Sequence, residues 1–302
     1  MNVLVSGSHG LIGSAVAPAL VAEGHTVRRL VRGGGEAGAG EVAWDPEAGT
    51  VDEEALAGQG GVQGVVHLAG AGIGDKRWSD QRKALVRRSR VEATRALAVA
   101  LARLPEPPRV MVSGSAVGYY GDRGDELLTE DSHGGTGFLA EICRDWEAAT
   151  APVAGAGTRI VNIRTGIVMS AHGGALKKQL PLFRLGIGGK LGSGRQYTSW
   201  VSIDDEVGAI VHALSSDSLS GPVNVTAPEP VTGSELSRVL GSVLRRPALI
   251  PVPRVALSVL LGRELTGELL AGQRALPARL SADGYRFRHH DLEGALRALL
   301  GR

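Results

Sequence analysis

The chain has 302 residues, 43% of them hydrophobic and 21% charged, with a formal net charge of +2. That length and apolar content support a large packed core and rule out a disordered or low-complexity chain. The near-neutral charge and the 4% aromatic content argue against nucleic-acid binding, and the single cysteine, Cys143, excludes an internal disulfide and a cysteine-rich zinc site.

The start, MNVLVSGSHG, has no basic segment followed by a long apolar one, so no secretory leader is expected. No stretch reaches the roughly 18 apolar residues of a membrane span. These features predict a cytoplasmic protein with no membrane partner and no metal.

Val3–Ser6 reads as a first strand and Leu11–Glu23 as a helix. Thr26–Val31 is a second strand and Val42–Trp44 a short third. Val65–Leu68 is a fourth, ended by Ala69-Gly70. Asp80–Leu104 is one long helical pattern, stopped by Pro105-Glu106-Pro107-Pro108. Val110–Ser113 and Thr158–Arg164 are a fifth and a sixth strand. Apolar strands alternating with helices predict an α/β fold, a doubly wound parallel sheet of the Rossmann type with helices on both faces.

The second half is less regular. Gly173–Gly194, rich in Gly and Lys, predicts an excursion from the sheet. Asp204-Asp205 opens a helix with Val207, Ile210, Val211 and Leu214 on one face. Val223–Val225 is a last strand, and Thr232-Gly233-Ser234-Glu235 has capping-box spacing before another helix. Pro247, Pro251 and Pro253 break the chain before two or three closing helices. The expected division is a dinucleotide-binding domain over 1–170 and a substrate-side excursion over 171–199. A return to the first domain follows over 200–230, then a smaller C-terminal helical part over 231–302.

Gly7-Ser8-His9-Gly10-Leu11-Ile12-Gly13 has the form G-x-x-G-x-x-G between a strand and a helix. The first glycine permits a tight turn. The second lets backbone N–H groups reach a pyrophosphate, and the third lets the helix pack on the strand. Gly7, Ser8, Gly10, Leu11, Ile12 and Gly13 are therefore expected to hold a dinucleotide at the positive helix end. An acid usually holds an NAD ribose at the end of the second strand. Here Arg32 stands there, able to pair with the 2′-phosphate of NADP. NADP is the expected cofactor, with NAD kept open because Glu36 in the next loop can serve its ribose.

With these stretches go His67-Leu68-Ala69-Gly70-Ala71 and Ser113-Gly114-Ser115-Ala116-Val117-Gly118-Tyr119-Tyr120-Gly121. Together they resemble the extended, sugar-nucleotide epimerase branch of the short-chain dehydrogenase/reductase superfamily. Lys76-Arg77-Trp78, Gly192–Trp200, Ala227–Thr232, Arg246-Pro247-Ala248 and Pro277–Leu280 resemble, more narrowly, an atypical subfamily of epimerase family proteins with a C-terminal segment of unknown function. The resemblance implies that Leu68, Ala69 and Gly70 pass beneath the adenosine. It implies that Ser113 and Arg164 border the cofactor and that Ser115 takes the place of the catalytic serine. It also implies a homodimer paired through Asp80–Leu104 and Phe138–Ala151.

The chain departs from that pattern at the Tyr-x-x-x-Lys dyad, where Phe138/Ile142 or Leu139/Cys143 stand instead. Tyr119 and Tyr120 are the substitutes offered for the proton carrier. Cys143 is either a reactive thiol or core, and His133 and Glu141 are weaker acid–base candidates. On the substrate side, Thr198 falls where relatives grip a nucleotide phosphate with arginine, so Arg195 and Gln196 are put forward in its place. Trp78 and Trp200 are offered as walls of an apolar pocket, and Lys76, Arg77, Lys177 and Lys178 as partners of an anionic substrate. Two functions follow. One is an NADP-dependent oxidoreductase or epimerase acting on a small carbonyl or hydroxyl substrate. The other is a non-catalytic NADP(H) sensor or partner-binding module.

Overall fold

The computed structural model describes residues 1–33, 38–58 and 60–302. Its main sheet has eight strands: β1 (Asn2–Ser6), β2 (Thr26–Arg32), β3 (Glu41–Asp45), β4 (Thr50–Val51), β5 (Gly64–His67), β6 (Val110–Ala116), β7 (Arg159–Thr165) and β8 (Gly221–Val225). Their order is β8-β7-β6-β5-β1-β2-β3-β4, and only the β3–β4 pair is antiparallel. β1 lies between β2 and β5. The strand order reverses there, which opens a crevice at the carboxyl ends of β1 and β5.

The alternation along each strand fills both faces. Val3, Val5, Val66 and Val112 face α1 (Leu11–Ala22) on one side. Leu4, Val65 and Met111 face the other side with Leu97 and Leu101. The expected doubly wound sheet is therefore present.

The long pattern from Asp80 resolves into two helices, α2 (Asp80–Arg88) and α3 (Val91–Ala102). The reason is a tertiary anchor at the joint. Ser89 Oγ accepts from the Ala71 amide at 3.0 Å, and the Arg90 guanidinium donates to the Ala71 carbonyl at 2.9 Å. Those bonds hold the chain after β5 and turn Arg90 to φ −108°, ψ −64°.

Next come α4 (Phe138–Ala148), α5 (Gly174–Arg184), α6 (Ile203–Ser215) and α7 (Gly233–Leu244). The Gly/Lys-rich excursion thus contains a helix, whose Leu176, Leu180 and Phe183 enter a third core with Trp200 and Leu240. Thr232 caps α7 by accepting from the Glu235 amide at 3.2 Å, as the capping-box spacing expects. The helices expected to pair two copies expose charged residues at Glu92, Arg95, Glu141 and Arg144. Among the described residues no helix is long and apolar enough to cross a membrane.

α6 carries a carboxyl group into the core. Glu206 is fully buried, accepts from Thr165 Oγ1 at 2.8 Å, and has a second oxygen without a partner among the described residues. Burial pushes its pKa up to about 8. The folded chain therefore keeps a proton that the unfolded chain loses near pH 4.5. Stability from this group falls as pH rises from there through 8. Glu206→Gln removes the effect. The variant's unfolding free energy should gain on the wild type by about 3 kcal/mol between pH 5 and pH 8. Urea titrations at both pH values measure it, and a constant difference refutes it.

Candidate functional site

The glycine turn closes the crevice at β1. Gly7 has φ +67°, and a Cβ there would lie 2.8 Å from the Leu68 carbonyl. A Cβ on Gly13 would lie 2.3 Å from the Gly7 carbonyl oxygen. Neither position tolerates a side chain, so loop, helix and β5 pack at backbone distance. Leu11, Ile12 and Gly13 form the first turn of α1. Gly10 caps it with no side-chain hydrogen bond, and no acid stands in that turn. Its first amides and the positive helix end thus face outward unneutralised.

Gly7, Ser8, Gly10, Arg32, Leu68, Ala69 and Gly70 line one cavity of about 670 Å³. That volume suits an organic ligand. His9, Trp44, Arg88 and Glu92 line it too. The last three come from β3, α2 and α3, so no local motif marks them. Glu36 lies outside the described residues.

The β5 wall is held by a buried chain of hydrogen bonds. Ser6 Oγ accepts from the amides of Leu68 at 3.1 Å and Ala69 at 3.2 Å. Both lone pairs are then used, so its proton goes to His67 Nδ1 at 2.7 Å. His67 Nε2 must carry the ring hydrogen and donate to Thr94 Oγ1 at 2.9 Å. Trp146 Nε1 donates to the same oxygen at 2.9 Å. Burial pushes the His67 pKa down to about 4, which keeps the ring neutral.

At the end of β6, Ser115 is buried and donates to Glu147 Oε1 at 2.7 Å. Arg164 grips the same carboxylate with two bonds, Nε to Oε1 at 2.8 Å and Nη2 to Oε2 at 2.9 Å. Its Nη1 donates to the Tyr120 hydroxyl at 3.1 Å, and its guanidinium stacks 3.4 Å from the centre of the Tyr119 ring. Ser115, Tyr119, Tyr120 and Arg164 therefore meet, with Glu147 as the unforeseen centre. Glu147 stands one turn beyond Cys143 on α4.

Several sequence expectations look different here. Arg164 is 3% exposed and does not line the glycine-loop cavity. Ser113 is fully buried in the sheet, its hydroxyl unpartnered among the described residues. Tyr120 is fully buried, its hydroxyl bonded to Thr129 O and Asn224 Oδ1, and desolvation raises its pKa. It cannot reach a ligand in the crevice. Tyr119 is half-buried.

Cys143 is buried on α4. Burial pushes its thiol up to about 12, so it is a core group. Gln196 Nε2 is tied to Leu191 O at 3.0 Å, and Arg195 is exposed. Trp200 is fully buried with its Nε1 on Glu229 O, and it walls no pocket.

A parallel sheet that reverses order over a glycine turn, with a serine at the next strand end, defines a nucleotide-binding protein of the dehydrogenase–epimerase class. The family model for the NAD dependent epimerase/dehydratase family matches residues 3–226, and one for a domain of unknown function matches 252–299. The chain belongs to that epimerase/dehydratase family. An epimerase family protein of Mycobacterium leprae is 43% identical over 294 residues, covering 97% of this chain and 94% of the relative. The human epimerase family protein SDR39U1, solved with NADPH, superposes with a TM-score of 0.90 at 35% identity, covering 100% of this chain and 99% of that one. A nucleoside-diphosphate sugar epimerase from Corynebacterium glutamicum has a TM-score of 0.80 at 38% identity, covering 100% of this chain and 58% of that one.

The hydrogen-bond chain makes a testable demand. Thr94→Val leaves the His67 and Trp146 N–H groups buried without an acceptor. It should cost about 2–4 kcal/mol of unfolding free energy, measured by urea denaturation. A loss under about 0.5 kcal/mol would show that the four groups do not depend on one another.

Proposed function

We propose that this chain binds NADP(H) in the glycine-loop cavity and serves hydride transfer at an oxygen-bearing carbon of a small organic substrate. One observation carries the reading. The open helix end, the glycine turn and Arg32 all meet in one cavity. The first-turn amides of α1 would take the pyrophosphate, and Arg32 the 2′-phosphate. When bound, the coenzyme supplies or accepts the hydride. The relative solved with NADPH supports the same choice of coenzyme.

Ser115 has the task of holding the substrate oxygen. Its proton is committed to Glu147, so toward a substrate it would act as an acceptor. It would therefore hold an alcohol, which donates, better than a carbonyl, which only accepts. Arg164 holds the Glu147 carboxyl with two bonds, and so fixes that polarity.

Calorimetric titration tests the coenzyme half. Arg32→Ala should weaken NADP+ about 10- to 100-fold and change NAD+ little. An equal loss for both coenzymes would place Arg32 away from the 2′-phosphate, and no heat with either would end the reading.

A second reading is favoured by the lack of a Tyr-x-x-x-Lys dyad in the sequence and by the sealed Tyr120. In it the chain binds NADP(H) without turnover and acts through a partner. Deuterium at the nicotinamide C4 decides between the two. Its transfer in a panel of alcohols and carbonyls supports the enzyme, and complete retention in a tightly bound coenzyme supports the binder.

A further inference from the structure

A second cavity, of about 350 Å³, shares no lining residue with the first. One wall is α7. Ser234, Ser237, Arg238 and Gly241 of that helix line it at i, i+3, i+4 and i+7 spacing, which is one helix face. The core-facing stripe of α7 is apolar, with Val239, Leu240 and Val243. The cavity-facing stripe is polar although it too faces a neighbouring segment, the chain from Arg246 to Pro251. Gly241 is small because Ala248 occupies the space, 2.8 Å from where a Cβ would be.

Three cations converge on this space: Lys190, Arg238 and Arg246. No carboxylate lines it. Arg246 Nε donates to the Arg184 carbonyl at 3.1 Å, which positions the guanidinium and leaves its terminal nitrogens available. Arg238 meets Glu235 only at 4.0 Å. Ser237 is 5% exposed, and its hydroxyl has no hydrogen-bond partner among the described residues. That hydroxyl opens onto the cavity, where it can bond a ligand. The remaining wall is apolar, and its Leu249 is 83% exposed.

We infer that this cavity is a binding site for a phosphate monoester carrying an apolar body. Two guanidiniums, an ammonium and a hydroxyl match the oxygens of a dianionic phosphoryl group. Ala248, Leu249 and Pro251 would cover the apolar body and take Leu249 out of water. The site is independent of the coenzyme reading, because no residue is shared.

Phenyl phosphate is the probe, followed by calorimetry and by the shift in melting temperature on the full chain. It should bind more tightly than inorganic phosphate, since only the ester reaches the apolar wall. Lys190→Gln with Arg246→Gln, which keeps both stems, should weaken phenyl phosphate at least about tenfold. Ser237→Ala alone should weaken it about threefold. The ligand-free melting temperature of every variant should match the wild type, which separates lost binding from lost folding.

Vesicles containing phosphatidic acid separate the two sources of such an ester. Sedimentation with them that the double variant loses assigns a lipid headgroup. Phenyl phosphate binding without sedimentation assigns a soluble ester. The inference is overturned if phenyl phosphate does not bind at about 10 mM, or if the double variant binds it as well as the wild type.

Discussion

The crevice stands on the hydroxyl of Ser6, buried at the end of β1. It receives two backbone N–H groups from the chain leaving β5 and gives its own proton to His67. The imidazole passes the connection to Thr94 on α3, which also holds Trp146 on α4. Two strand ends and two helices thus share one run of hydrogen bonds. Such a run is strong in a low-dielectric interior, and each member is costly to orphan. Because His67 is neutral, the run has one polarity, and the Leu68–Gly70 backbone has one position. Gly7 then approaches Leu68 at a distance that excludes any side chain.

The far end of the crevice is organised by charge. Glu147 and Arg164 form a nearly buried, doubly bonded pair that also captures Ser115 and Tyr120. A pair of this kind returns little net stability, because desolvation offsets the attraction, yet removing one partner is severe. Its value lies in orientation. It sets which way the Ser115 hydroxyl points and keeps Tyr120 out of the crevice. Neither Phe138/Ile142 nor Leu139/Cys143 supplies a tyrosine and a lysine, and the polar contacts at this end of the crevice converge on Glu147, on the same helix.

Much of the fold was legible because it rests on periodicity. Short apolar runs marked the strands, and the glycine turn was readable because only glycine meets its steric demands. What sequence could not show depends on tertiary partners. The Asp80–Leu104 pattern continues smoothly through Ser89 and Arg90, and only their bonds to Ala71 break it. Trp200 looked like a pocket wall because tryptophan can serve as one. Its burial depends on α5 and α7 closing over it. Glu147 was invisible as a site residue because a carboxylate on an amphipathic helix ordinarily faces water. Its partner Arg164 lies on a strand not next to it in sequence.

The C-terminal part is held to the sheet by carboxylates used as backbone clamps. Asp205 on α6 accepts from the amides of Arg288 at 2.7 Å and His289 at 3.1 Å. Glu130 accepts from the amides of Asn224 at 3.0 Å and Arg279 at 3.2 Å. Ser199 bonds both Gln273 and Ala275. Charge-assisted bonds to backbone are short and directional, and here they lie where water is excluded. The segment matching the domain of unknown function is thus latched to β8 and α6 at several separate points. Latching of this kind does not suit a tail that swings freely. It suits a part that folds as one with the sheet.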